Sequence, residues 1–256
     1  MIITVRSVLL AIGLLAFALP ALGATAPSPS GAPPGWALPV DDSKLHSLVL
    51  VDQLEYWNTD GEDALRWDVV SWFGGDYNRL WINVEGEDLA GSGGELERFD
   101  LLYGHLIAPF WDLQAGVGYQ LIWGPGADPD RFNAVLGLQG LAPQWFEINT
   151  NLRLSEKGDL SADLEAEYDL LLTQRLVLQP RFETLVALQE VEEFGVGKGV
   201  NSVRLGARLR YELRREFAPY LGITWNRKLG DTADLARKDG EDIEDLSLVA
   251  GVRLWF

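Results

Sequence analysis

The sequence has no cysteine, only one methionine and only two histidines. The absence of cysteine excludes disulfides, thiolate metal sites and a cysteine nucleophile. The fold must therefore be stabilised by packing or by a closed hydrogen-bonded sheet. Because the one methionine is Met1, thioether ligands for a soft metal ion are missing from the rest of the chain.

Basic residues are scarce relative to acidic ones. The chain has 21 Lys and Arg against 38 Asp and Glu, which gives a formal net charge of -17 at pH 7. Nucleic-acid phosphates need Lys and Arg partners, so this balance excludes nucleic acid as a partner. An acidic surface favours cations instead.

Long apolar runs are also lacking, except at the N-terminus. Residues 1–24 carry one positive charge at Arg6, an apolar stretch over 8–19 and small residues up to Ala24. This order predicts a secretory signal peptide that is cleaved after Gly23 or Ala24. No other stretch approaches the roughly 18 consecutive apolar residues of a membrane helix, so a membrane form must be a closed barrel.

The next segment, residues 25–43, is rich in Pro, Ser, Gly and Ala. Such a composition cannot offset the entropy of ordering, so it predicts a flexible, Pro-rich periplasmic tether. The folded domain, an outer-membrane β-barrel, is therefore expected over residues 44–256.

Beyond residue 44 the apolar period is close to two, which predicts strands and no convincing helix. About twelve strands are expected, an even number as in bacterial single-chain barrels. Short links alternate with longer polar ones, which is typical of a transmembrane antiparallel up-and-down β-barrel with both termini on the periplasmic side. The expected strands are 44–57, 64–74, 77–88, 95–108, 110–122, 131–140, 144–155, 159–170, 175–188, 201–213, 217–228 and 243–256.

A soluble sandwich remains an alternative, because its strands alternate in the same way with the apolar face inward. The aromatic residues favour the barrel, since they cluster near the expected strand ends as two interfacial girdles would. The periplasmic girdle is expected from Trp72, Phe73, Phe110, Trp111, Trp145, Phe146, Phe217, Tyr220 and Phe256, and the outer one from Trp57, Trp67, Trp81, Trp123 and Trp225. The terminal Phe256 also resembles the assembly signal of outer-membrane barrels.

Several long segments resemble, in the same order, the copper resistance protein B family of outer-membrane proteins. They are "GGDYNRLWI", "APFWDLQAGVGYQ", "LGLQGLAPQWFE", "LLLTQRLVLQPRFE", "LRYELRREFAPYLGI" and "VAGVRLWF", and the resemblance covers about residues 48–256. It implies a barrel in the outer membrane of a Gram-negative bacterium that acts in copper tolerance. The implied partners are copper ions and a periplasmic multicopper oxidase or copper carrier.

The chain departs from this family in one respect. Members commonly carry a Met- and His-rich stretch before the barrel, and those side chains are the ones that Cu(I) and Cu(II) require. Here residues 25–43 contain neither residue type. A soft, high-affinity Cu(I) site is therefore not expected in this chain.

Two histidines and a set of carboxylates remain as candidate copper ligands. His46 and His105 are both expected near the periplasmic rim, where their imidazoles can bind Cu(II) if the register brings them together; the alternative is that each is an ordinary polar residue. On the predicted inner face, a negative wall would lower the energy of a cation in the lumen. It consists of Glu147, Asp163, Glu165 and Glu167, with Asp169.

Alternation assigns many more charged residues to the lumen, and arginine outnumbers lysine among them. One interpretation is a structural salt-bridge network that fills the barrel, and the other is a cation path. The acidic loop segments 60–63, 128–130, 190–193 and 239–245 are either solvated or bridged to lipopolysaccharide by divalent ions. The expected lumen residues are Arg66, Asp68, Glu85, Glu87, Arg98, Asp100, Asp112, Glu147, Arg153, Asp163, Glu165, Glu167, Arg181, Glu183, Arg204, Arg208, Arg210 and Arg253.

The sequence offers no catalytic constellation. Ser47 follows His46 directly, so the two side chains of a strand point to opposite faces and cannot form a nucleophile and its base. We therefore expect no enzyme. The sequence indicates an outer-membrane barrel that binds or passes copper ions, and the alternative is a general narrow cation-preferring channel or a structural barrel.

Overall fold

The structure, a computed structural model, describes residues 44–58, 63–90, 93–124 and 128–256. The expected signal peptide and tether, residues 1–24 and 25–43, lie outside this part of the chain. None of the helices in the described ranges is long and apolar enough to cross a membrane.

Twelve antiparallel strands close into a barrel, as the sequence predicts. Each strand pairs with the next, and β12 returns to pair with β1 from Leu50↔Trp255 to Asn58↔Leu248. The eighth strand is interrupted at Asp169 and continues as Leu170–Leu171, which pairs with β9. The strands are β1 His46–Asn58, β2 Ala64–Gly74, β3 Asn78–Leu89, β4 Gly93–Ala108, β5 Trp111–Trp123, β6 Asp130–Ala142, β7 Phe146–Ser155, β8 Leu160–Tyr168, β9 Leu176–Ala187, β10 Gly199–Tyr211, β11 Phe217–Lys228 and β12 Glu244–Trp255.

The two ends of the barrel differ in their connections. At one end, here called the turn end, β1 begins, β12 finishes and short turns join the strands, among them the 3-10 turn Pro143–Trp145. At the other, the loop end, longer connections include residues 188–198 and 229–243. This is the predicted alternation of short and long links, and it gives the lumen two unlike mouths.

One prediction of the sequence is wrong, because the last long loop contains a helix, α1 (Gly230–Asp239). It buries one side, formed by Thr232, Ala233, Leu235 and Ala236. The Thr232 hydroxyl oxygen accepts hydrogen bonds from the Gly197 backbone N–H at 2.8 Å and from Asn201 Nδ2 at 2.7 Å. The helix is therefore fixed against the loop 188–198 at the loop end. Its short apolar stripe lies among Gly and Asp residues, which concealed the helical period.

The faces of the strands decide between a membrane barrel and a soluble sandwich. In β10, Leu205 and Leu209 point outward and are 46% and 44% exposed, whereas Arg208 and Arg210 point into the lumen and are 3% and 4% exposed. The same inversion runs around the barrel, where large apolar side chains are exposed and charged ones are buried. An apolar outer band around a polar interior is the arrangement of a transmembrane β-barrel.

The predicted aromatic girdles are only partly right. Trp145 and Phe256, which are 70% and 72% exposed, lie at the turn end as expected. Four residues assigned to the girdles instead face the lumen, because an amphipathic ring suits a polar interior as well as a membrane interface. These four are Trp57, Trp72, Trp81 and Tyr220.

Candidate functional site

Charged side chains from most strands fill the lumen. Every charged residue that alternation assigned to the lumen faces it, and carboxylates outnumber guanidinium groups there. The lumen is therefore net negative when all of these groups are ionised. Further charged residues that the sequence interpretation missed are Asp52, Glu55, Arg79, Glu95, Glu97 and Arg131.

Two β-bulges explain part of this miss. One bulge in β1 places both Asp52 and Gln53 opposite the same part of β2, so both face inward. A second in β4 does the same for Glu97 and Arg98. A bulge adds one residue to a strand and reverses the alternation beyond it. The bulges account for Asp52 and Glu97, which are absent from the expected lumen residues.

Two cavities in the lumen are lined by described residues. The outer cavity, at the loop end, has a volume of about 230 Å³, and the inner cavity, at the turn end, one of about 330 Å³. Among their lining residues only Arg98 and Glu165 are common to both. The cavities are therefore separated by a layer of side chains that includes these two, here called the central layer.

Ion pairs hold the walls of the lumen together. Arg66 is fully buried, and its Nη1 lies 2.5 Å from Glu97 and 3.3 Å from Glu87, while its Nη2 pairs with Glu85. Buried charges of this kind need partners to offset the loss of hydration. The network therefore fixes the positions of the carboxylates that face the cavities.

The predicted acidic wall exists but is largely neutralised. Asp163 lies 3.2 Å from Arg153 Nε, and Glu165 and Glu167 lie 2.7 and 2.8 Å from the Nη atoms of Arg181. The structural salt-bridge interpretation thus holds for these three residues. They contribute to the negative potential of the lumen only together with their arginines.

Two other lumen carboxylates differ from these three in lacking an arginine partner among the described residues. Glu95 lines the outer cavity and Glu147 the inner one, and among the described residues neither has a basic group within 4.0 Å. Each also lies directly across from another carboxylate, Glu95 from Glu87 and Glu147 from Glu167. Like charges directly opposite one another are unfavourable unless a cation lies near them. A mobile cation therefore has its most favourable electrostatic interaction with the lumen at these two positions.

The two histidines are not brought together. His46 is exposed at the start of β1, opposite Gly74. His105 is on the outward face of β4, and its Nδ1 lies 2.8 Å from Asn78 Oδ1. The same oxygen accepts a hydrogen bond from the Tyr103 hydroxyl at 2.7 Å. Strands β2 and β3 separate them, a spacing of about 14 Å.

No cluster of three or more His, Cys, Asp or Glu side chains with metal-binding geometry occurs in the described ranges. The lumen can thus attract a cation by charge without a fixed coordination shell.

At the loop end, Phe194 lies over the Arg131 guanidinium at 4.0 Å and narrows the outer cavity. On the loops outside, hydrogen bonding to Glu193 raises the pKa of Lys157.

Sequence comparison assigns the family. A profile of the family described as "Copper resistance protein B precursor (CopB)" matches residues 45–256. The chain belongs to the copper resistance protein B family. It is 43% identical over 219 residues to copper resistance protein B of Escherichia coli, an alignment that covers 85% of this chain and 72% of that protein. A copper resistance protein B homolog of Pseudomonas syringae pv. tomato is 42% identical over 217 residues, with the same coverages.

Solved structures with a similar fold are outer-membrane porins. The NanC porin superposes with a TM-score of 0.51 and 13% sequence identity over 82% of this chain and 99% of that one. The KdgM porin covers 82% of this chain and 98% of its own, with a TM-score of 0.48 and 11% identity. At these identities the likeness concerns the barrel fold alone. The superposition on the NanC porin shows that this copper resistance protein B family member has a porin-like barrel fold.

Proposed function

We propose that this barrel lies in the outer membrane of a Gram-negative bacterium and passes copper ions through its lumen. The observation that carries the proposal is the pair of acid-rich cavities, each with one carboxylate, Glu95 or Glu147, that lacks a basic partner among the described residues. Membership of the copper resistance protein B family supplies the identity of the ion.

The ligand chemistry favours passage of Cu(II) over tight storage of copper. Carboxylate and amide oxygens bind divalent ions without strong selection, whereas Cu(I) requires thioether or thiolate ligands. Conduction needs sites that attract an ion yet release it. An excess of negative charge with no fixed coordination shell meets that requirement, and no catalytic step is needed.

The turn end is the side on which we expect exchange with periplasmic copper proteins, such as a multicopper oxidase or a copper carrier. The inner cavity opens there and contains Glu147 and Glu167. The exposed His46 begins β1 at the same end and can offer an imidazole to an arriving Cu(II).

Passage can be measured with the mature protein in liposomes that enclose a fluorescent Cu(II) chelator. We expect the wild-type barrel to admit Cu(II) faster than protein-free liposomes. The double variant Glu95→Gln, Glu147→Gln should reduce the initial rate about threefold or more, because it removes the two carboxylates without a basic partner. A His46→Ala, His105→Ala variant should reduce the rate less than the carboxylate variant does, because neither imidazole lines one of the two cavities.

The matched control is Glu190→Gln, Glu216→Gln, which removes two exposed carboxylates, one at each end and outside the two cavities. It should keep the wild-type rate. Equal rates in all variants, or no entry above the protein-free background, would contradict copper passage and favour a structural barrel. Equal entry of Cu(II), Mg2+ and K+ would indicate the general cation-preferring channel.

A further inference from the structure

One buried arginine, Arg181, lies within 4.0 Å of five carboxylates, although one carboxylate is enough to neutralise its charge. The Arg181 side chain is 2% exposed. Its Nη1 lies 3.2 Å from Asp52 and 2.8 Å from Glu167, and its Nη2 lies 3.1 Å from Asp68 and 2.7 Å from Glu165. Its Nε lies 2.7 Å from Glu183.

These five carboxylates come from four strands, β1, β2, β8 and β9, and they converge on one guanidinium. Carboxylates so close together cannot all stay ionised without a cation among them. Arg181 supplies one positive charge, and Arg98 contributes another from 3.6 Å to Glu165 and 3.8 Å to Asp68. The five carboxylates therefore form a preformed cation site, here called the cage, in which the bound cation is the Arg181 guanidinium of the protein itself.

The position of this cage is as informative as its composition. Asp52, Asp68 and Glu167 line the inner cavity, Glu183 lines the outer cavity, and Glu165 lines both. The guanidinium that holds them therefore belongs to the central layer, where the two cavities meet. An ion that travels from one cavity to the other therefore passes Glu165, which lines both cavities and pairs with Arg181.

We propose that Arg181 is the tethered counter-ion that closes the central layer and with which a permeating cation must compete. Its positive charge lowers the conductance of the barrel and weakens the preference for cations that the lumen carboxylates create. Removal of the guanidinium leaves carboxylates facing a continuous lumen, which then admits monovalent cations and holds divalent ones. The inference rests on the proposed passage of cations, but it does not depend on copper.

The test is ion conductance in planar bilayers that contain folded barrels of the wild type and of Arg181→Gln. In KCl, Arg181→Gln should show single-channel conductance about threefold or more above the wild type, with a reversal potential shifted towards the K+ equilibrium value. Added Mg2+ should then reduce the K+ current at concentrations that leave the wild type unaffected. Folding is verified by heat-modifiable migration on gels.

The matched control is Arg208→Gln. Arg208 is equally buried, but among the described residues its ion pair is with Glu55 alone, and Glu55 lines neither cavity. The conductance and the cation selectivity of the Arg208→Gln barrel should stay at the wild-type values. Should both variants change alike, the effect would come from general loss of charge and the proposed role of Arg181 would be wrong.

Arg181→Lys keeps the charge but not the planar fork, so it should give an intermediate conductance. A folded Arg181→Gln barrel with wild-type conductance and reversal potential would overturn the inference. If Arg181→Gln does not fold, the double variant Arg181→Gln, Glu167→Gln, which also removes one of the facing carboxylates, takes its place, and wild-type conductance in that barrel would overturn the inference. Because KCl contains no copper, increased K+ conductance in Arg181→Gln would support this gate even where the Cu(II) entry assay fails.

Discussion

The lumen has two unlike walls. The amide wall, formed by β5, β6 and β7, presents six amide side chains to the lumen beside four charged ones, Asp112, Arg131, Glu147 and Arg153. The six amides are Gln114, Gln120, Asn133, Gln139, Asn149 and Asn151. The charged wall covers the remaining strands and contains three arginines that each lie within 4.0 Å of three or more carboxylates, Arg66, Arg98 and Arg181.

The walls differ in how far their contacts reach along the chain. On the charged wall, Arg208 pairs with Glu55 across 153 residues and Arg181 with Asp52 across 129. On the amide wall, Gln114 bonds to Gln139 only 25 residues away. Ion pairs therefore connect the late strands to β1 and β2, near the point where the barrel closes. The amide contacts of the amide wall stay within neighbouring strands.

The largest effect is expected on the charged wall. Arg66→Met removes a fully buried guanidinium and leaves four nearby carboxylates with too little positive charge. We expect the free energy of unfolding to fall by about 3–5 kcal/mol, as measured by urea titration of the barrel in lipid. As control, Arg227→Met breaks an exposed pair with Glu244 and should cost at most about 1 kcal/mol. Equal losses would show that burial of the pair is unimportant.

An intermediate effect is expected where the walls meet. Arg153 on β7 reaches across β5 and β6 to Asp100 on β4, at 2.8 Å, and Gly118 leaves room for this pair. A Cβ at Gly118 would lie 2.4 Å from Asp100 Oδ1. Gly118→Ala should therefore reduce the free energy of unfolding by about 1–3 kcal/mol.

The control for this substitution is Gly75→Ala. A Cβ there would meet only one atom, the Lys44 carbonyl oxygen, at 3.9 Å. Its effect on the free energy of unfolding should be much smaller. If Gly118→Ala is as well tolerated as Gly75→Ala, the bridge from Arg153 to Asp100 does not depend on the space above Gly118.

The smallest effect is expected on the amide wall. Gln114→Ala, Gln139→Ala removes both partners of a 3.0 Å hydrogen bond, and loss of a neutral pair costs about 1 kcal/mol. Urea titration should show this small loss, while cation selectivity stays unchanged in bilayers. A loss as large as that of Arg66→Met would mean that the two walls are equally important for stability.

The strands were predictable because the alternation of residues and the spacing of turns are both local. All twelve expected strands are present, and β2 and β11 have the expected bounds, Ala64–Gly74 and Phe217–Lys228. The helix Gly230–Asp239 was missed, because its apolar residues span only two turns and buried Thr232 looks like a loop residue. Hydrogen bonds from Gly197 and Asn201 to Thr232 stabilise the helix, and sequence periodicity does not report such tertiary contacts.

The sequence could predict which side chains face the lumen, but not which ion pairs they form there. Alternation correctly placed Arg181 and Glu165 inside, yet it gave no sign that Asp52 joins them, since a bulge turns that residue inward. Which arginine meets which carboxylate depends on register around the whole barrel. The like-charge pairs at Glu95 and Glu147 were hidden for the same reason.

Copper passage through the lumen is tested most directly by anomalous diffraction at the copper edge, on crystals of the barrel soaked in Cu(II). We predict anomalous peaks inside the lumen, in the outer cavity beside Glu95 and in the inner cavity beside Glu147, which vanish in the Glu95→Gln, Glu147→Gln variant. Copper bound only at His46 or on the outer surface, with both cavities free of anomalous density, would contradict the proposal.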